Sequence, residues 1–384
     1  MRDRHPIRVV VWGLDPVGLA AAHLVRRRAG YELAGAISDQ GAQVGRDLGE
    51  VLGFGERLDI TVNNDPMGVL TQARPDVTLI SAPGAAVDEL GPRILQAAEA
   101  GSNVICLAES MVYPWATRAD LADTLDELAH AHGVTILGAG VAPGFVTDTL
   151  ALALTGCCTD VERIRISRAI DITPLGRDVL KRDYGIGMKP SQYAERPRFA
   201  QSVGLGESIH LIADSLGWRL ERVEEDTRPI VAENRVEVDG LRVEPGQVTG
   251  RIDAAVGYVD GLAKIVLEHP QTAGARSEVI QTGDYIEIAG KPDLKLHIEP
   301  EIPTVVGNAA LAVNVIPSVL QVGPGLITMA GLPVPRAVLG DVRDFIEQQG
   351  PTVEAELARG WHVEGLGGHP AGDESFPGES PLGG

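Results

Sequence analysis

Ile7-Arg8-Val9-Val10-Val11-Trp12-Gly13-Leu14-Asp15-Pro16-Val17-Gly18 is the stretch whose reading decides the fold. Five of its first six residues are apolar and three are consecutive valines, which suits a strand buried on both faces in a parallel sheet. Gly13 and Gly18 then close a turn into a helical run from Leu19 to Arg28. This is the opening of a dinucleotide-binding fold. In such a turn the first glycine permits the bend, the second lets backbone approach a pyrophosphate, and the third lets helix pack on strand. The helix N-terminus adds N–H groups and partial positive charge. Gly13 and Gly18 fill the first and third places, and Asp15 stands in the second. A carboxylate there crowds or repels a pyrophosphate unless its side chain turns away. The same Gly-x-x-x-x-Gly spacing also fits an ordinary βα turn, so the pattern of the residues after it has to decide.

Beyond the first helix, strand and helix alternate. Tyr31–Ser38 reads as a second strand, Val44–Leu52 as helix, Asp59–Val62 as a short strand, and Pro66–Ala73 as a helix capped by Asp65. Val77–Ser81, Asn103–Leu107 and Val134–Leu137 are further strands, separated by helices over Ala86–Ala100 and Arg118–His132. That pattern predicts a doubly wound, mostly parallel sheet over residues 7–140. Ligands of such sheets bind beyond the carboxyl ends of the strands. The ends of interest are the glycine turn with Leu14, Asp15, Pro16 and Val17, the Ser38-Asp39 tip, Ser81-Ala82-Pro83, Ala108-Glu109 and Gly138 to Phe145. An acid at the second strand's tip favours NAD and a serine leaves room for the 2′-phosphate of NADP. With Ser38 beside Asp39, that choice stays open.

From Val161 the pattern changes to long alternating strands at Val161–Ile172, Arg219–Val238, Gln247–Val256, Leu262–His269, Ser277–Ile288 and Leu294–Ile298, with a helix over Gly204–Leu216. This predicts an α+β region built on a largely antiparallel sheet with one face exposed or covered by another subunit. Asn308–Leu320 returns to helix. The expected organisation is a dinucleotide-binding domain over 1–142, a substrate and dimerisation domain over 143–305, C-terminal helices packing back on the first domain over 306–364, and a disordered tail over 365–384.

A net charge of −20 argues against nucleic acid or an anionic membrane as partner, since both select clustered Lys and Arg. No apolar run reaches the length of a membrane span and no signal-peptide core precedes the first strand, so a cytoplasmic location is expected. Cys106, Cys157 and Cys158 have neither disulfide nor zinc spacing, and no metal is expected.

Glu109 is the strongest candidate for chemistry. It directly follows a buried strand at the cleft edge, among apolar neighbours that would raise its proton affinity into the range of a general base. Tyr113 and Trp115 are candidate pocket walls, and Arg168, Asp171 and Tyr184 are candidates to face the cleft from the second region. His210 and His297 read as structural. The chain holds no Gly-x-Ser-x-Gly elbow and no phosphate-binding Gly-Lys-Thr loop.

Four blocks together resemble a known family: Glu109 to Trp115, Gly138 to Phe145, Gly35-Ala36-Ile37-Ser38-Asp39 with Val44 to Glu50, and Val313 to Pro317 with Gly323 to Leu326. They are similar to the 2,4-diaminopentanoate dehydrogenases, which include the native amine dehydrogenases, within the dihydrodipicolinate-reductase-like group. The resemblance spans most of residues 7–335 and departs from the family at Asp15, Ser110 and Ala142. It implies a Rossmann domain, a homodimer formed through the second sheet, NAD(P)H as cofactor, and reversible conversion of a small primary amine or diamino acid to a ketone plus ammonia. It also implies that Glu109 is the catalytic glutamate, that Gly13 and Gly18 form the cofactor turn, and that Ala142 to Val146 lie near the nicotinamide and substrate, so that Phe145 and Val146 join Tyr113, Asp171 and Tyr184 as expected pocket residues. Two other readings stay open: an imine or ketone reductase acting without ammonia, and a non-catalytic dinucleotide sensor.

Overall fold

The computed structural model describes residues 5–196, 204–274 and 281–347. The first sheet is built from β1 (Ile7–Trp12), α1 (Pro16–Arg27), β2 (Tyr31–Ile37), α2 (Leu48–Val51), α3 (Pro66–Ala73), β3 (Val77–Ser81), α4 (Val87–Glu99), β4 (Asn103–Leu107), α5 (Trp115–His132) and β5 (Thr135–Gly138). The second comprises α6 (Thr149–Thr155), β6 (Asp160–Asp171), α7 (Arg177–Arg182), α8 (Pro190–Ala194), α9 (Leu205–Ser215), β7 (Arg222–Val231), β8 (Val236–Val238), β9 (Leu241–Val243), β10 (Val248–Val259), β11 (Leu262–Thr272), β12 (Gly283–Lys291) and β13 (Leu294–Ile298). α10 (Thr304–Asn314), α11 (Ile316–Val319), β14 (Gly325–Ile327) and α12 (Val342–Glu347) complete the described chain.

The first sheet has six strands in the order β14-β5-β4-β3-β1-β2, all parallel. Val9, Val10 and Val11 are fully buried because helices cover both faces. Val9 and Val11 pack towards α1 and α10, whereas Val10 and Trp12 pack towards α3, α4 and α5. Burying a valine stabilises by roughly 1.5 kcal/mol or more, which is why an uninterrupted apolar run belongs at the centre of the sheet. The chain returns to this core through Ala309, Ala312 and Val313 of α10.

Three local expectations change. Val44–Leu52 is helical only over α2, because Gly45 takes a φ of 81° and Asp47 starts the helix by accepting the Gly49 amide at 2.9 Å. Asp59–Val62 forms no strand: Asp59 has a φ of 55° and the segment contributes only an isolated bridge between Thr61 and Asp47. β5 is not the last parallel strand, since β14 pairs with it through Gly325, Leu326 and Ile327. A three-residue strand is too short to leave a periodic signal. The expected tail over 365–384 lies outside the described residues.

The second sheet runs β13-β12-β6-β11-β10-β7. Its pairs are antiparallel except β6 with β11, so it is mixed rather than purely antiparallel. α6 and α9 cover one face through Ala151, Ile209 and Ile212 on Ile166, Ala255 and Leu267. Beyond that apolar patch the same face turns polar. Asp284 pairs with Arg168, whose carbonyl contacts His269 Nδ1 at 2.6 Å, and Asp253 lies between His269 and Thr227 in the register. The Arg168–Asp284 ion pair, at 2.5 Å, is buried and extended by bonds from Arg168 to the Ile302 carbonyl and from the Ile302 amide to Asp284. These bonds anchor the segment leading into α10 on the second sheet.

Candidate active site

The site assembles where the strand ends of the first sheet meet the start of α9. Glu109 opens a 3-10 turn directly after β4. Its Oε2 accepts the backbone N–H of Gly84, in the loop after β3, at 2.8 Å. Ser110 Oγ donates to the Ala85 carbonyl at 2.8 Å, so the two strand-end loops are tied together by consecutive side chains. The setting differs from the apolar one expected from sequence: the half-buried carboxylate is held by an amide donor at the mouth of the crevice. Gly204, with a φ of +69°, closes the third side, and a Cβ there would lie 3.2 Å from Glu109 Cβ and 2.5 Å from Pro143 Cγ. Pro143 follows Ala142 through a cis peptide bond. Glu109, Gly84, Pro143 and the first turn of α9 therefore converge.

The glycine turn sits one strand away. Gly13 has a φ of +101°, and a Cβ there would stand 2.0 Å from the Ser81 carbonyl oxygen, so only glycine fits. A Cβ on Gly18 would stand 1.9 Å from the Gly13 carbonyl oxygen and 3.3 Å from Ser81 Cβ. Ser81 is 4% exposed and its Oγ has no hydrogen-bond partner. A buried hydroxyl without a partner beside a glycine cradle is what a ligand with polar oxygens would satisfy. At the β2 tip, Ser38 Oγ donates to Gln43 Oε1 at 2.7 Å, and Gln43 Nε2 donates to the Leu14 carbonyl at 2.9 Å, bracing the tip against the turn. Asp39 projects outward and pairs with Arg93 of α4 at 3.3 Å, and the Arg93 guanidinium lies 5.9 Å from the centre of the Trp12 ring. These residues fit a dinucleotide laid across the strand ends, with the turn for its phosphates and the β2 tip for its ribose. One side chain complicates the fit: Asp15 folds back and caps α1, accepting from Val17 N at 2.8 Å and Gly18 N at 3.3 Å.

Several expected pocket residues are engaged elsewhere. Tyr113 stacks on His210 with ring centres 6.3 Å apart and, with Trp115, Leu211 and Asp214, lines an open pocket of about 700 Å³ along α9. Burial and the adjacent Asp214 push the Tyr113 phenol up to about 12. Phe145 lines a cavity of about 180 Å³ with Ile302, Gly307 and Leu311, on the α10 side. Val146 is fully buried. Asp171 accepts from the Thr173 amide at 2.9 Å and shapes the turn after β6. Tyr184 donates to Gln271 Oε1 at 2.9 Å beneath Arg251, which is 4.8 Å from its ring centre.

Sequence reasoning missed Glu207, in the first turn of α9 and 7% exposed. Burial raises its carboxyl above the usual glutamate range, and the charges of Glu225 and Glu109 add to that. Neither spacing nor periodicity signals a residue brought to Glu109 across nearly a hundred positions. Asp148, fully buried, fixes the same corner by accepting from Gly144 N at 2.7 Å and Ser208 Oγ at 2.8 Å. Cys106, Cys157 and Cys158 are all free, and burial pushes the Cys106 thiol up to about 12. Among the described residues no group of His, Cys, Asp and Glu is arranged to hold a metal ion, and no helix is long and apolar enough to cross a membrane.

Comparison with known proteins supplies independent findings. The family described as 2,4-diaminopentanoate dehydrogenase C-terminal domain matches residues 145–348. The chain is 34% identical over 355 residues to 2,4-diaminopentanoate dehydrogenase of Acetoanaerobium sticklandii, covering 91% of this chain and 99% of that one. It is 27% identical over 353 residues to an amine dehydrogenase of Streptomyces virginiae, covering 86% and 98% respectively. Among solved structures, amine dehydrogenase from Mycobacterium smegmatis superposes with a TM-score of 0.73 at 27% identity, over 88% of this chain and all of that one.

Proposed function

This chain belongs to the 2,4-diaminopentanoate dehydrogenase family, and from that membership we propose that Glu109 handles the proton in its reaction. The chain is an NAD(P)-dependent amine dehydrogenase, an oxidoreductase acting on CH–NH2 groups. It interconverts an amine with a ketone plus ammonia. The observation that supports the role of Glu109 is its place: a carboxylate at the carboxyl end of β4, held by Gly84 N–H at 2.8 Å and closed over by α9.

The nicotinamide, when bound, supplies or accepts the hydride. Every other requirement falls to the chain. Gly13, Gly18 and Ser81 would hold the phosphate end and the β2 tip would hold the ribose. In the direction of amine synthesis, Glu109 takes a proton from ammonium, freeing the nitrogen lone pair to attack the ketone carbon. Glu109 returns that proton to the adduct's hydroxyl, which leaves as water, and the carbon–nitrogen cation that forms is stabilised by the regenerated carboxylate, oriented by the Gly84 amide. Pro143 and Gly204 restrict the approach to one side of Glu109.

A homodimer in the cytoplasm completes this reading. The face of the second sheet turned away from α9 carries partly exposed Ile252, Ala254, Val256 and Val266, the kind of apolar row that a second copy would cover. Light scattering on the purified protein tests the dimer. The activity is tested by following oxidation of NADH and of NADPH over small ketones at high ammonium, each with an ammonium-free control. Ammonium-dependent oxidation is expected; oxidation that ignores ammonium would make the protein a ketone or imine reductase.

A further inference from the structure

In the first turn of α1 the amides that would meet an anion are already taken by a carboxylate. Pro16 has no N–H, Leu19 N–H donates to the Asp15 carbonyl at 2.9 Å, and Gly13 N–H donates to Ile37 O at 2.9 Å. Within the first turn, the Val17 and Gly18 amides both donate to Asp15 Oδ1. A carboxylate oxygen thus stands where the helix end and the glycine cradle would receive a phosphate oxygen. The turn around that position is close-packed against Ser81. Gly13 and Gly18 leave no room for a Cβ, and the Ser81 hydroxyl beside them, on a residue 4% exposed, is unpartnered.

We propose that Asp15 occupies the pyrophosphate position of the dinucleotide site, and that its carboxylate has to leave the Val17 and Gly18 amides before the cofactor can bind there. This rests on the amine dehydrogenase reading and adds to it a residue that sets cofactor affinity. Two anions cannot share the same pair of donors, because each oxygen needs the N–H hydrogens and their charges repel. Binding therefore exchanges one set of charge-assisted bonds for another, and the apparent affinity falls by the fraction of time that Asp15 stays in place. Asp15 also keeps α1 capped in the cofactor-free protein. The energetic gain from that cap and the loss in affinity are two readings of one interaction.

The test is equilibrium binding, independent of turnover. NADH and NADPH dissociation constants are measured by cofactor fluorescence for the wild type, Asp15→Gly and Asp15→Asn, alongside thermal denaturation without cofactor. Asp15→Gly removes both the charge and the side chain. It is expected to bind dinucleotide at least tenfold more tightly and to melt at a lower temperature when cofactor-free. Asp15→Asn keeps a capping oxygen without the charge, so it should fold as well as the wild type and bind with intermediate affinity. Unchanged or weaker binding in both variants would overturn the proposal. If those variants still turn over with ammonium, the amine dehydrogenase reading stands and only the role of Asp15 falls. If the wild type binds neither cofactor and Asp15→Gly binds one, the proposal is upheld in its strongest form.

Discussion

Glu109 Oε2 accepts the amide of Gly84 at 2.8 Å, so the carboxylate at the end of β4 is fixed by the loop at the end of β3. An amide donor orients a carboxylate and leaves its other oxygen free to take a proton. Glu109→Gln keeps the acceptor oxygen for Gly84 and loses the base. Its turnover in the ammonium-dependent assay should fall by about 10²- to 10⁴-fold, the usual worth of a positioned general base. Cofactor binding and melting temperature should stay close to wild type. Full turnover in this variant would remove Glu109 from the chemistry.

The first sheet was legible because its signals are local: an uninterrupted Ile7–Trp12 run, a glycine turn, and helices ended by glycine. Glu109 was legible for the same reason, since it stands directly after a buried strand. The features that sequence left out depend on distant pairing. The parallel alignment of β6 with β11, the arrival of Gly204 and the start of α9 at Glu109, and the capping of Asp15 onto its own helix depend on register, crossing and rotamer. Tyr113 and Phe145 were expected together, but they lie on different sides, against α9 and α10.

Asp39 and Arg93 form an exposed pair at the β2 tip, 3.3 Å apart, beside Trp12. The carboxylate suits a ribose 2′-hydroxyl, whereas the guanidinium suits a 2′-phosphate once it is released from Asp39. Asp39→Ser should therefore shift the ratio of kcat/KM for NADPH over NADH upward by about tenfold, a change of roughly 1.4 kcal/mol. Steady-state kinetics with each cofactor measures it. An unchanged ratio would place the ribose away from this tip.

Asp148 stands in the corner that joins the Pro143 loop to α9. Both oxygens are occupied: Gly144 N and Ser208 Oγ donate to Oδ2, and Thr149 N and Oγ1 donate to Oδ1, the last at 3.0 Å. An asparagine amide accepts through one oxygen only, so Asp148→Asn turns an NH2 group towards two donors. The Ser208 hydroxyl can rotate away, but the Gly144 amide cannot. A buried N–H left without an acceptor costs about 1–3 kcal/mol. Urea denaturation should show a loss of that size, and a variant as stable as wild type would mean that the loop re-forms around the amide.

Glu207 carries the clearest pH signature. Its carboxyl is raised above the ordinary glutamate range by burial, with Glu225 and Glu109 adding repulsion, and no cation pairs with it among the described residues. A carboxyl with a raised value in the folded state keeps its proton to higher pH than the unfolded chain does. Between those two values the folded protein holds more protons, so stability falls as pH rises through the window. The contribution is complete below the unfolded value, about 4.3, and is lost above the folded one. Glutamine mimics the protonated acid at every pH. Glu207→Gln should therefore melt above the wild type at neutral pH, and the gap should close as the pH is lowered towards about 4. Thermal denaturation of both proteins across that range tests the sign. A glutamine variant that melts lower than wild type at neutral pH would show that the ionised carboxylate is held by the fold, and the repulsion inferred from Glu225 and Glu109 would then be outweighed.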